Sequence, residues 1–139
     1  MLNTYLNFDG NCREAFDFYR SVFGGEFMIL QTFGDAPGEY QPPEGEQDKV
    51  MHVSFPIGDN ILMGSDIPSN MGMTLVSGNN FSISVSPESR EHAESLFNAL
   101  SDGGTVTMPM QDMFWGSYFG SCADKFGINW QVNFEHPQD

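Results

Sequence analysis

Three neutral amide side chains alternate with apolar residues in the last strand-like stretch of the sequence. The stretch INWQVNF, residues 128–134, places Asn129, Gln131 and Asn133 on one face of an extended chain. Its other face is apolar and suits burial. Each amide offers a hydrogen-bond donor and an acceptor, so the row can bind a polar molecule. Its neutral carbonyl oxygens are weak ligands for a transition metal.

A histidine and an aspartate are the other side chains that could do chemistry. His52 shares one face of the strand-like stretch 50–57 with Ser54, opposite Val53 and Phe55. It could act as an acid or base, serve as a lone metal ligand, or be hydrogen-bonded inside a polar sheet face. Asp66 follows the next strand, where it could orient His52 or cap a turn. These two residues are the catalytic candidates.

The first element that must position these side chains is a helix near the start of the chain. Asn11 is expected to cap it, with Glu14 three residues later as the reciprocal partner. The pair at 24–25, both glycine, is expected to end it. Helical spacing predicts one buried stripe, made of Ala15, Phe18, Tyr19, Val22 and Phe23.

A second helix repeats the pattern. Ser86 is expected to cap it and Pro87 to occupy its first turn, and the glycines at 103–104 are expected to end it. Four apolar residues of the first stripe each recur 78 positions later, as Ala93, Leu96, Phe97 and Leu100. A spacing that long indicates two copies of one module.

Strand-like stretches surround each helix in the same order. Each half reads as one strand, a helix and three further strands, which predicts an α+β fold of two tandem βαβββ modules. The strands are expected at 4–8, 26–33, 50–57 and 60–65, and again at 81–85, 105–111, 116–122 and 128–134. We expect a single domain, 1–139, with modules at 1–66 and 79–136, a linker at 67–78, and a solvated loop at 36–49.

Composition narrows the classes of partner. The formal charge of −14 repels phosphate backbones and anionic lipid, so neither nucleic acid nor a membrane surface is an expected partner. The two cysteines, Cys12 and Cys122, are too few for a disulfide framework. The stretch MLNTYLNFDG lacks the basic flank and long apolar run typical of a signal peptide, and no stretch approaches the length of a membrane span, so we expect a cytoplasmic protein.

The sequence resembles the vicinal oxygen chelate superfamily, which includes glyoxalase I, extradiol dioxygenases and bleomycin-resistance proteins. Within it, the chain is similar to the PhnB-type group, often labelled 3-demethylubiquinone methyltransferase-like. The matching segments are YLNFDGNCREA at 5–15, MGSD at 63–66, FW at 114–115, FG at 119–120 and DKFG at 124–127. The resemblance implies that paired modules curl their strands into a half-open cup that holds the ligand, with the helices outside.

The resemblance also implies which side chains face the cup. The expected ligand-binding residues are Tyr5, Asn7, His52, Ser82, Trp115, Asn129, Gln131 and Asn133. Metal-dependent relatives place four ligands, usually His and Glu, at positions that fall near Asn3, Leu62, Asn80 and Gln131. None of these four residues is a histidine or a carboxylate, so no metal and no other cofactor is expected.

The expected function is to bind a small organic molecule as a cytoplasmic homodimer, without the family's metal site. One alternative is a metal-dependent glyoxalase- or dioxygenase-like enzyme with a non-standard site that pairs His52 with Asp66. Another is a non-catalytic interaction protein whose cup is vestigial. A methyltransferase is not expected, because no glycine-rich loop follows a strand and no acid is placed to bind a cofactor ribose.

Overall fold

The computed structural model describes residues 1–36, 38 and 42–136. Residues 37 and 39–41 of the predicted loop lie outside the described residues. The chain divides into two compact units, Met1–Val76 and Ser77–Asp139. Within the described part, no helix is long and apolar enough to cross a membrane.

The first unit contains one helix and a four-stranded mixed sheet. Its strands lie in the order β1-β4-β3-β2, with β1 parallel to β4 and the other pairs antiparallel. The elements are β1 (Thr4–Phe8), α1 (Cys12–Phe23), β2 (Ile29–Thr32), β3 (Val50–Ile57) and β4 (Asn60–Asp66).

Helix α1 covers one face of this sheet, and a glycine permits its close approach. Phe16 of α1 is fully buried above Gly64 of β4. A Cβ atom on Gly64 would lie 2.6 Å from Cε2 of Phe16, a separation that packed carbon atoms do not reach. Leu6 and Phe8 of β1 are buried on the same side, while Tyr5 and Asn7 between them are exposed, as the alternation predicts.

The second unit repeats the order of elements and the sheet topology. Its strands lie in the order β5-β8-β7-β6, with β5 parallel to β8. The elements are β5 (Ile83–Val85), α2 (Arg90–Ser101), β6 (Thr105–Asp112), β7 (Ser117–Ala123) and β8 (Asn129–Glu135). The predicted α+β class and the βαβββ order of each half are therefore confirmed.

Both predicted helix caps are wrong in detail. Asn11 precedes α1 but its side chain makes no capping hydrogen bond. Helix α2 is capped by Ser89, whose side chain accepts a hydrogen bond from the backbone amide of His92, and not by Ser86. Both serines satisfy the residue preference for a cap. Only Ser89 stands three residues before an amide that helix geometry leaves unpaired.

Two predicted strands are too long. Strand β2 begins at Ile29 and β5 at Ile83, so residues 26–28 and 81–82 are not in the sheet. Phe81, the first residue of the predicted strand 81–85, is 58% exposed. The alternation of faces applies only within a paired strand, and Phe81 precedes the paired residues.

Candidate functional site

Each sheet has a face turned away from its helix, and polar side chains gather there. In the first sheet, Val53 of β3 pairs with Gly64, which lies beneath Phe16 of α1. The neighbours of Val53 along the strand therefore point away from the helix. We call this side the first polar face, and it carries Tyr5, Asn7, His52 and Ser54.

The His52 ring lies between two hydroxyl groups on this face. Its Nδ1 is 3.4 Å from the Tyr5 hydroxyl, and its Nε2 is 2.9 Å from the hydroxyl of Ser54. The Tyr5 and His52 rings are also stacked, with centroids 5.8 Å apart. Ser54 is buried, whereas Tyr5 is largely exposed. The contacts orient the imidazole, and which nitrogen carries the proton decides which group donates.

Asp66 lies on the opposite face of the same sheet. Its carboxylate is only 3% exposed and accepts three backbone hydrogen bonds. Its Oδ1 receives the amides of Gly10 and Cys12, and its Oδ2 receives the amide of Val50. An arrangement in which Asp66 orients His52 does not fit this geometry, because the two side chains leave opposite faces. Asp66 instead joins the start of α1 to the start of β3.

The second sheet has a polar face of its own. Trp130 and Cys122 pair across β8 and β7, and both are buried. The alternate residues therefore share the other side, which we call the second polar face. Its cross-strand pairs are Ser121 with Gln131, Phe119 with Asn133, and Ala123 with Asn129.

The three amides of this face differ in their hydrogen bonding. The side-chain nitrogen of Asn129 donates to the carbonyl of Gly78 at 3.0 Å. The Oδ1 of Asn133 is buried and has no hydrogen-bond partner among the described residues. Asn133 as a whole remains partly exposed, as does Gln131. A buried acceptor without a partner is unusual and calls for an explanation, such as a bound group.

Aromatic side chains continue the second polar face beyond Asn133. The Trp115 ring lies 6.2 Å from the Phe119 ring and 5.0 Å from the Phe114 ring, measured between centroids, and both contacts are edge-on. Phe114 is 96% exposed and Trp115 is 53% exposed. We call these three residues the aromatic wall. Exposed aromatic rings next to polar groups are typical of ligand pockets.

Two of the four positions matched to the family's metal ligands, Asn3 and Leu62, lie in the first unit. Asn3 precedes β1, and its Oδ1 accepts a hydrogen bond from the Ile61 amide. Leu62 is buried on the helix side, so its assignment to the cup side was wrong. It is Met63 that lies on the first polar face, opposite Ser54. Within residues 1–36, 38 and 42–136, no three His, Cys, Asp or Glu side chains are grouped as metal ligands.

Two further predicted positions lie outside the strands. Ser82 and Asn80 are both exposed and precede β5, so neither shares a sheet face with the amide row.

Burial raises the pKa of the Cys122 thiol to about 11, with a further contribution from the carboxylate of Asp124. Burial likewise raises the pKa of Cys12. Neither thiol is therefore suited to act as a nucleophile near neutral pH.

Three residues of the polar faces were missed as site residues. Ser54, Phe119 and Ser121 each touch or pair with a predicted residue. The hairpin between β7 and β8 could have identified the last two, because a short turn fixes the pairing register. Thr107 extends the second polar face, and its hydroxyl lies 2.7 Å from that of Ser121.

Comparisons with known proteins agree with this architecture. A family model described as 3-demethylubiquinone-9 3-methyltransferase matches residues 1–133. Protein PA1353 from Pseudomonas aeruginosa is 39% identical, with a TM-score of 0.87 over 99% of this chain and 98% of that chain. Protein YjdN from Escherichia coli is 32% identical over 95% of this chain and 93% of its own length.

Two further solved structures relate the fold to named proteins. The putative 3-demethylubiquinone-9 3-methyltransferase, PhnB protein, from Bacillus cereus is 28% identical, with a TM-score of 0.76 over 96% of this chain and 98% of that chain. The fosfomycin resistance protein FosX from Listeria monocytogenes shares the fold alone, at 12% identity and a TM-score of 0.65 over 98% and 93%. The protein thus belongs to the 3-demethylubiquinone-9 3-methyltransferase family, the PhnB-type group that its sequence resembles.

Proposed function

We propose that the protein binds a small, planar organic molecule on the second polar face, without a metal ion. The buried Oδ1 of Asn133, which no described residue pairs by a hydrogen bond, carries this proposal. A buried acceptor left without a partner costs about 1–3 kcal/mol, which a ligand N–H or O–H group would recover. Rotation of an amide about its last torsion is soft, and Asn133 is partly exposed, so a small rotation brings the oxygen within reach of a ligand.

The aromatic wall supports a planar ligand. Trp115 stands beside Phe119, which pairs directly with Asn133. A flat ring could therefore contact the indole while its polar edge reaches the amide. Gln131 and Ser121, the next pair along the strands, offer a further donor and acceptor.

The charge of the chain favours a neutral or cationic ligand. A net charge of −14 raises the local concentration of cations and lowers that of anions. The groups on this face are neutral amides, hydroxyls and rings, which bind without a counter-charge. Tyr5, Asn7 and His52 offer the same kinds of contact on the first polar face, and we retain them as ligand-binding candidates.

Fluorescence of Trp115 provides the test. The chain has two tryptophans, and the other, Trp130, is only 1% exposed. A panel of planar neutral molecules that carry donors, such as nicotinamide, indole and 4-hydroxybenzamide, is titrated against the protein. We expect saturable quenching by at least one of them. The response should disappear in Trp115→Phe, and calorimetry should show weaker binding to Asn133→Leu.

A matched variant separates binding at this face from general quenching. Phe126→Leu alters a half-buried aromatic residue in the turn between β7 and β8, away from Asn133 in the pairing register, and should leave the titration unchanged. If no panel member gives saturable binding up to millimolar concentration, or if Asn133→Leu binds as tightly as the unmodified protein, the proposal is wrong.

We also propose that the protein works in the cytoplasm. Cys12 and Cys122 are both free and buried, and they lie in different units of the chain. Free thiols are the usual state in a reducing compartment.

An enzyme that pairs His52 with Asp66 has no support from the geometry, since the hydrogen bonds of the Asp66 carboxylate come from backbone amides.

A further inference from the structure

The buried hydroxyl of Ser54 has a single hydrogen-bond partner among the described residues. Ser54 is 4% exposed, and its Oγ lies 2.9 Å from Nε2 of His52. A buried O–H group that donates to nothing loses the hydrogen bond that it would make to water, which is unfavourable. The Ser54 hydroxyl therefore donates, and Nε2 of His52 accepts.

The hydrogen bond from Ser54 decides which ring nitrogen of His52 carries the proton. In a neutral imidazole one nitrogen accepts a hydrogen bond and the other donates one. Because Nε2 accepts, the proton lies on Nδ1, which is 3.4 Å from the hydroxyl oxygen of Tyr5. The Nδ1–H group of His52 thus donates to that oxygen.

The hydroxyl proton of Tyr5 is consequently left for an acceptor outside the described residues. His52 is the only hydrogen-bond partner of this hydroxyl in that part of the chain, and it occupies the oxygen as a donor. Tyr5 is 44% exposed, so a ligand can reach the proton. The stacked His52 ring holds the phenol in place on the sheet. A polar group that is both oriented and accessible is what fixes a ligand in a binding site.

We propose that the first polar face binds a neutral carbonyl compound, whose oxygen accepts a hydrogen bond from the Tyr5 hydroxyl. His52 and Ser54 are positioning residues, which direct the Tyr5 proton outward. The paired neighbours on this face carry no charge, since Gln31 pairs with His52, and Met63 pairs with both Tyr5 and Ser54. A carboxylate or phosphate finds no counter-charge there and is repelled by the net charge of −14.

Met63 provides an apolar surface for the carbon skeleton of such a compound. It lies between Tyr5 and Ser54 in the register of the sheet and is half-buried. A thioether side chain adapts its shape and makes favourable contacts with aromatic rings. Acetophenone therefore suits the site, because it has a carbonyl acceptor, a flat ring, no donor and no charge.

The chemistry of this site is the reverse of that proposed for the amide row. The buried Oδ1 of Asn133 needs a donor from its ligand, whereas Tyr5 supplies a donor to its ligand. The two sets of residues belong to different units of the chain. Either proposal can therefore fail while the other holds.

The position of the His52 proton tests the first step without any ligand. Nitrogen-15 resonances of an imidazole distinguish a protonated ring nitrogen from an unprotonated one. At about pH 8, above the usual histidine pKa of ~6.5, we expect the His52 proton on Nδ1. His92 is the internal control, because its Nδ1 accepts from the Glu88 backbone amide at 3.1 Å and its proton must lie on Nε2. His52→Gln assigns the signals. In Ser54→Ala the Nδ1–H form should no longer dominate.

Titration with acetophenone tests the ligand class. We expect saturable shifts of the His52 ring resonances at or below millimolar concentration. Tyr5→Phe keeps the stacked ring and should bind about three- to tenfold more weakly, the usual effect of one hydrogen bond. Tyr118→Phe is the matched control, since it removes a hydroxyl that donates to Glu94 in the other unit, and it should leave the affinity unchanged. Benzoate, which has a similar shape and a negative charge, should bind at least tenfold more weakly than acetophenone.

Four results would overturn the proposal: a His52 proton on Nε2 in the unmodified protein, no saturable binding of acetophenone, undiminished binding to Tyr5→Phe, or equal affinity for benzoate. Circular dichroism checks the fold of each variant. If Ser54→Ala is unfolded, the resonances of the unmodified protein still decide the position of the proton. Asn133→Leu should bind acetophenone as tightly as the unmodified protein does. A loss of binding in that variant would place the probe on the second polar face and would also count against the proposal.

Discussion

The Oδ2 of Asp66 lies 2.8 Å from the backbone nitrogen of Val50, and its other oxygen receives two further amides. We predict that Asp66→Asn destabilises the protein by about 2–4 kcal/mol. The replacement loses the negative charge and turns one acceptor into a donor that faces an N–H group. Urea unfolding measures the loss. Asp59→Asn, at an exposed position in the turn between β3 and β4, is the control and should cost less than about 0.5 kcal/mol.

A small effect of Asp66→Asn, equal to that of the control, would mean that these hydrogen bonds contribute little. Such a result would reopen a functional role for Asp66. The fluorescence titration of the aromatic wall should not change in this variant, because Asp66 and Trp115 belong to different units.

Asn133→Leu should raise stability while it weakens ligand binding. The Oδ1 of Asn133 is buried without a hydrogen bond from any residue in the described part of the chain, and leucine of similar shape removes that cost. We expect a gain of about 1 kcal/mol in the free energy of unfolding without ligand. Asn129→Leu, in the same row, should instead lose stability, because it removes the hydrogen bond to Gly78. Thermal unfolding of both variants makes the comparison.

Opposite signs for these neighbouring substitutions distinguish a binding residue from a structural one. Groups that await a ligand are often unfavourable for folding, since function and stability make different demands. If Asn133→Leu is destabilising, the amide has a structural partner, and the main support for the proposed binding face is lost.

Acidification should weaken the hydrogen bonds that Glu46 accepts from Lys49 and Ser69. Its Oε1 accepts from the Lys49 ammonium at 2.8 Å, and Ser69 donates through both its backbone amide and its hydroxyl. These hydrogen bonds, that from Lys49 foremost, lower the pKa of the Glu46 carboxyl from 4.5 to about 2. The unfolded chain therefore takes up this proton more readily than the folded one. The stabilisation is complete above pH 4.5 and is lost as the pH falls toward 2.

Urea unfolding of the unmodified protein and Glu46→Gln at several pH values measures this contribution. The difference in unfolding free energy between the two should be largest above pH 4.5 and should shrink toward pH 2. Glu44→Gln, at an exposed position two residues away, is the control and should show no such trend. A difference that stays constant with pH would show that the Glu46 charge does not matter to the contact.

The parts of the fold that were predictable are those in which one physical signal dominates. The alternation in residues 128–134 placed Trp130 and Val132 in the core and the amides opposite, because a sheet must bury one side. At Leu62 no single signal dominates. The stretch 60–65 carries apolar residues on both faces, so alternation alone does not decide which residues face the helix. The position assigned from the resemblance to metal-dependent relatives therefore fell one residue away from the polar face.

The contacts around His52 were beyond sequence reasoning. Tyr5 and His52 are 47 positions apart, and only the parallel pairing of β1 with β4, beside β3, brings them together. That the Oδ1 of Asn133 lacks a partner among the described residues is likewise a property of packing, since its sequence neighbours resemble those of Asn129. The exposure of Phe81 was missed because the pairing of β5 begins two residues later than its apolar pattern does.

The last prediction concerns metal. The resemblance implies that Gln131 falls where glyoxalase-like relatives carry a glutamate, and in the structure it pairs with Ser84 and Ser121, both neutral. A divalent ion needs charged oxygen or imidazole to offset its lost hydration, and a neutral amide supplies neither. We expect micromolar Zn²⁺ or Ni²⁺ to leave the Tm of the untagged protein unchanged.

The variant Gln131→Glu should lower the free energy of unfolding by about 1 kcal/mol without metal, because it desolvates a carboxylate on a partly buried face. Gln111→Glu, the same change at an exposed position in β6, is the control and should be nearly neutral. A rise of several degrees with metal in the unmodified protein, abolished by Gln131→Ala, would show that the amide row holds an ion after all.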